Sequence, residues 1–111
     1  WNRIPICFCE RRLAFNQDVK SLQTQQDSTW LFHFLYSKEN RLLYSVTGTG
    51  IGAGKLDTEE LKNLKTLTPS LPEQQKIAEF LTGIDDKIKA VAIQIDKAAE
   101  FKKGLLQKMF V

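Results

Sequence analysis

The sequence predicts an α+β chain in two parts. A small mixed part of short strands and two helices comes first, over residues 1–69, and one long coiled-coil-type helix follows over 70–111. Three observations predict it. Short runs of strand-forming residues, separated by polar turn residues, fill the first part of the chain. Two later stretches, 30–45 and 58–63, carry helical spacing and caps. From Leu71 onward there is no proline after Pro72, and apolar residues recur in alternating steps of four and three.

Length and composition narrow the class. A chain of 111 residues holds one small domain and such a helix. Its hydrophobic content of 42% is that of a soluble globular protein with material for a core. No apolar run is long enough to span a bilayer, and the first residues lack the basic start, apolar run and small cleavage site of a secretory signal. A cytoplasmic protein with no membrane segment is therefore expected. The chain opens on Trp1 rather than Met, which points to processing or to a piece of a longer protein. A net charge of +3 permits a nucleic-acid partner without arguing for one. Cys7 and Cys9 are too close for an easy disulfide and read as buried or half-buried thiols in a reducing compartment. His33 is the only histidine and is distant from them in sequence, so metal binding is poorly supported.

In chain order, residues 4–10 (Ile-Pro-Ile-Cys-Phe-Cys-Glu) alternate loosely and predict a strand with Pro5 near its start or on an edge. After Arg11 and Arg12, residues 13–15 predict a second strand, 16–18 (Asn-Gln-Asp) a polar turn, and 19–22 a further strand ended by a polar run. Asp27 or Ser28 is a suitable N-cap for a helix over 30–45. Leu31, Phe34, Leu35, Leu42 and Tyr44 partly outline its apolar face, and Lys38 interrupts it. Trp30, Phe32, Phe34 and Tyr36 fall at helical spacing within an apolar run. They read as core rather than as a platform on which bases stack.

Residues 47–55 (Thr-Gly-Thr-Gly-Ile-Gly-Ala-Gly-Lys) hold four glycines in seven residues and predict a loop. A phosphate loop requires four residues between its first glycine and the Gly-Lys pair, then a hydroxyl. Here five residues separate Gly48 from Gly54, and Leu56 stands in the hydroxyl's place. Gly48, Gly50 and Ala53 meet the loose dinucleotide pattern, but no clear strand–loop–helix unit surrounds them. The loop reads as a connector, or as backbone that lies against a polyanion. Asp57 and Glu60 have capping-box spacing and open a short helix over 58–63, and 65–68 predict a short strand entering Pro69.

Ser70 caps the long helix, Glu73 answers three residues later, and Pro72 sits in the first turn, where its missing N–H costs nothing. One apolar series runs Ile77, Ile84, Val91, Ala98 and Leu105. The other runs Leu81, Ile88, Ile95, Lys102 and Met109, broken only by the lysine. A continuous helix here has about 38 residues and extends roughly 57 Å. A domain this small cannot cover it, so the seam Ile77, Leu81, Ile84, Ile88, Val91 and Ile95 predicts a partner helix. Gly83 and Gly104 each weaken the helix by about 1 kcal/mol relative to Ala, and mark a bend or the close approach of a neighbour.

No catalytic constellation can be assembled. His33 sits in an aromatic helical run, and Asp85 and Asp86 diverge by about 100° around a helix. The Asn/Asp-Pro-Pro-aromatic motif of an adenine methyltransferase does not occur. The chain reads as a non-enzymatic binding or scaffolding element with no cofactor of its own.

The block 69–88, Pro-Ser-Leu-Pro-Glu-Gln-Gln-Lys-Ile-Ala-Glu-Phe-Leu-Thr-Gly-Ile-Asp-Asp-Lys-Ile, resembles the start of the long spacer helix in specificity subunits of type I restriction–modification systems. Residues 102–111, Lys-Lys-Gly-Leu-Leu-Gln-Lys-Met-Phe-Val, are similar to that family's C-terminal ending. Residues 14–18, 32–35 and the Gly-Thr-Gly loop are similar to the latter half of a target recognition domain. The resemblance implies that 1–69 is part of a DNA target recognition domain and 70–111 the spacer or dimerisation helix. It implies double-stranded DNA as a partner and a companion spacer helix packed antiparallel. It further implies methyltransferase subunits, which carry S-adenosylmethionine and methylate the DNA, and restriction subunits assembled on that complex. In isolation, a second copy of the chain is the expected helix partner. Phosphate contacts are expected from Arg11, Arg12, Lys38, Arg41 and Lys55, and base approach from Asn16, Thr47 and Thr49. A coiled-coil interaction module unrelated to DNA is the alternative. It explains the seam but not the Leu-Pro-Glu-Gln-Gln block.

Overall fold

The computed structural model describes residues 3–46 and 54–111. Among them are four helices: α1, Ser28–Ser37; α2, Glu39–Tyr44; α3, Thr58–Lys62; and α4, Leu71–Met109. The chain divides into two compact units, Trp1–Ala78 and Glu79–Val111.

The expectation of an α+β fold is corrected. Among the described residues there is no strand, and Lys55 alone lies in an isolated bridge. The four segments read as strands, 4–10, 13–15, 19–22 and 65–68, are irregular. A strand-like pattern says which residues suit a pleated, half-buried surface, but a strand exists only where a neighbour completes the hydrogen-bond ladder. None of the described residues completes one. The Ile4 N–H donates instead to Glu39 Oε1 at 2.8 Å. Phe8, Leu13, Phe15, Val19 and Leu22 are left about half exposed. The polar turn does form: the Val19 N–H donates to the Asn16 carbonyl at 3.3 Å.

α1 starts where its cap predicts. Asp27 Oδ1 accepts from the Trp30 N–H at 2.8 Å, satisfying one of the donors that a helix start leaves over. The single helix expected over 30–45 is two. Lys38, with φ −99° and ψ 4°, ends α1 and begins α2, and its N–H donates to the Leu35 carbonyl at 3.0 Å. The residue that interrupts the apolar face is thus where the helix breaks. Leu35 and Leu42 are buried on either side of it, whereas Tyr44 is almost fully exposed.

The first unit is organised around α1. Phe8 stacks on Phe32 with centroids 5.0 Å apart, and Phe32 on Tyr36 at 6.1 Å. The Arg3 guanidinium lies over the Tyr36 ring at 5.3 Å and within 3.8 Å of Glu39. Trp30 stacks on Phe34 at 5.8 Å, and Lys38 covers that ring at 5.7 Å. The aromatic run therefore packs, although only Trp30 of the four is buried. The apolar core is small: Trp30, Leu35, Leu42 and Ala78. Both cysteines are exposed, contrary to the expected buried thiols, and Cys9 Sγ donates to the Arg11 carbonyl at 2.9 Å. α3 opens on Asp57, whose Oδ1 accepts from the Glu59 N–H at 2.8 Å.

Candidate functional site

α4 is 39 residues long, about 58 Å at 1.5 Å per residue. Its start is locked locally. The Ser70 hydroxyl and N–H both donate to Glu73 Oε2, at 2.7 and 2.9 Å, and the Gln74 N–H donates to the Ser70 carbonyl at 2.9 Å. These two bonds, the hydroxyl's foremost, hold the Glu73 carboxyl below its ordinary pKa.

The next turn docks the helix within the first unit. Gln74 is fully buried, and Ala78, one turn on, is 4% exposed. Gln74 Oε1 accepts the Asp27 N–H at 2.9 Å. Gln74 Nε2 donates to Gln26 Oε1 at 2.7 Å and to the Pro69 carbonyl at 2.8 Å. Sequence reading missed this residue, treating Gln74 only as a letter of the Leu-Pro-Glu-Gln-Gln block. No local signal marks it, because the groups that enclose its amide come from residues 26 and 27.

The docked turn borders the seam. Gln74 stands seven residues before Leu81, on the same stripe of the helix as one of the two apolar series, and Ala78 stands about 100° round from Ile77. Ile77 and Ile84 are 39% and 40% exposed, and Ile88, Val91 and Ile95 range from 52% to 63%. Leu81 is half-buried. Six branched aliphatic side chains in coiled-coil order thus lie together along one helix without full cover among the described residues. A Cβ added at Gly83 or Gly104 would meet nothing within 4 Å, so none of the described residues approaches either glycine closely.

The candidate DNA-contacting residues are spread over separate segments. Arg11, Arg12 and Lys55 are exposed. Lys38 is half-buried over Phe34, and Arg41 Nη2 lies 3.9 Å from Glu60 Oε2. The Asn16 side chain is engaged in its own turn: Oδ1 accepts the Asp18 N–H at 3.2 Å, and Nδ2 donates to Asp18 Oδ2 at 3.0 Å. Thr47 and Thr49 lie outside the described residues. None of the described helices is long and apolar enough to cross a membrane.

Comparison with known proteins finds a family model and relatives that this sequence matches. The family model for the type I restriction modification DNA specificity domain matches residues 7–100. The type I restriction enzyme MjaVIII specificity subunit of Methanocaldococcus jannaschii is 36% identical over 84 residues, 76% of this chain and 19% of the relative. The putative MjaX specificity subunit of the same organism is 28% identical over 80 residues, 72% of this chain and 19% of the relative. The EcoR124I/EcoR124II specificity subunit of Escherichia coli is 22% identical over 102 residues, 90% of this chain and 25% of the relative. The chain thus spans about a fifth to a quarter of the length of these relatives. No solved structure matches it.

Proposed function

The chain belongs to the type I restriction–modification DNA specificity family, and from that premise we propose that it reads DNA through residues 1–69 and docks other subunits through residues 70–111. The observation that carries this reading is the seam of α4. Six apolar side chains follow in coiled-coil order on a helix of 39 residues, five of them 39% to 63% exposed and Leu81 half-buried. Covering what remains in water would supply roughly half of the 1.5–3 kcal/mol that full burial of a large apolar side chain brings. A facing helix recovers it, with knobs at Ile77, Leu81, Ile84, Ile88, Val91 and Ile95. In the whole complex that helix is the companion spacer helix of the family, with methyltransferase and restriction subunits assembled around the pair. For the chain alone it is a second copy.

The chain's part in the reaction is placement. Residues 1–69 meet the DNA, α4 holds them at a set distance from the second half of a split site, and methylation is carried out by the partner subunits. Arg11, Arg12 and Lys55 are the exposed cations suited to phosphates. Lys38 and Arg41 have partners within the fold and would have to exchange them for DNA.

The test substitutes the seam. Val91→Asp with Ile95→Asp places two charges in the pairing stripe, whose burial costs several kcal/mol each. Sedimentation should show the chain reduced to monomer, and co-purification with methyltransferase subunits should be lost, while helix content is kept. A double variant that leaves mass and co-purification unchanged refutes the docking role.

A further inference from the structure

The most deeply buried side chain among the described residues is a polar one, Gln74. Its oxygen accepts from the Asp27 N–H, and its nitrogen donates to both the Gln26 side chain and the Pro69 carbonyl. Both donors and the acceptor of the amide are therefore used. Asp27 is also the N-cap of α1. A single amide thus joins three places: the start of α1, the chain leading into it, and the first turn of α4. An apolar side chain of the same size would fill the site next to Ala78, and apolar contact has no preferred direction. Three hydrogen bonds from one planar group are satisfied in only one orientation of the helix that carries it.

We infer that Gln74 is a positioning residue that fixes the first two turns of α4 against the start of α1, and with it the spacing the protein accepts between the halves of a split DNA site. The spacing half of this inference rests on the reading of α4 as a ruler. A ruler discriminates between lengths only if the joint at its start is fixed, and the three bonds of Gln74 are the fixed joint at the start of α4.

Two measurements test it. In a Cys7→Ser, Cys9→Ser background, spin labels at Ser37 and Lys76 report on α1 and the second turn of α4, both within the first unit. Gln74→Met keeps the volume and removes all three bonds. The inter-label distances should broaden or shift while circular dichroism shows the same helix content, and an unchanged distribution overturns the inference. Should Gln74→Met lose helix, Gln26→Ala removes one bond from an exposed partner. It should broaden the same distribution, and no change there is equally fatal. The second measurement uses the complex with methyltransferase and duplexes whose spacer is one base pair shorter or longer. The wild-type preference for one spacing should shift or fall toward unity in Gln74→Met. An equal loss of affinity at every spacing would mean a structural role only and overturns the assignment. A wild-type complex with no spacing preference overturns the ruler reading and the spacing role together, whereas the label distances judge the joint by themselves.

Discussion

The Glu73 carboxylate shows how a single side chain defines the start of a 39-residue helix. Two hydrogen bonds from Ser70 favour its charged form, so its folded pKa lies below the unfolded one. The cap's contribution is therefore complete above the ordinary carboxylate range and is lost as the pH falls through the depressed folded value. Far-UV circular dichroism titrations of the wild type and Glu73→Gln should differ by one acid-range step, present in the wild type and absent in the variant. Ser70 and Glu73 were legible because the capping box is a three-residue signal. At α1 the residue types offered Asp27 or Ser28 as the cap, and the structure uses Asp27. Gln74 was not legible: its partners Gln26 and Asp27 lie 48 and 47 residues away, and nothing in a local window shows that an amide will be enclosed.

Helices were legible and strands were not, and the difference is physical. A helix closes its hydrogen bonds within four residues, so spacing and caps alone locate α4 to within a residue or two. A strand depends on a second segment, and residues 4–22 find none among the described residues. Lys38 was recognised as an interruption of a face. That it becomes a break between α1 and α2 is seen only in its backbone, with φ −99° and ψ 4°. Within α4 the glycines make a separate prediction. Among the described residues of the chain nothing meets a Cβ at Gly83 or Gly104, so within one copy each costs its intrinsic propensity. Gly83→Ala and Gly104→Ala should each stabilise the helix by about 1 kcal/mol in urea unfolding followed by circular dichroism.

At the scale of the molecule, each unit leaves apolar side chains exposed: residues between Phe8 and Leu22 in the first, and Ile84, Ile88, Val91 and Ile95 in the second. DNA binding should then be mainly electrostatic. Arg11→Ala and Lys55→Ala should each weaken affinity and reduce the slope of log affinity against log salt by about one. Fluorescence anisotropy at several salt concentrations checks this, and unchanged slopes would remove both residues from the phosphate contacts.

By itself the sequence determined the caps at Asp57 and Ser70, the choice of Asp27 or Ser28 at α1, the long helix, its apolar seam and the family. Each depends on residues within a turn or two, or on a contiguous motif. Only the tertiary structure decided that residues 4–22 and 65–68 form no strand among those described, and that Tyr36 carries Arg3. It alone decided that α4 enters the first unit on a buried glutamine. These depend on which distant segments meet, because ladders and buried hydrogen bonds are completed by partners that local spacing does not specify.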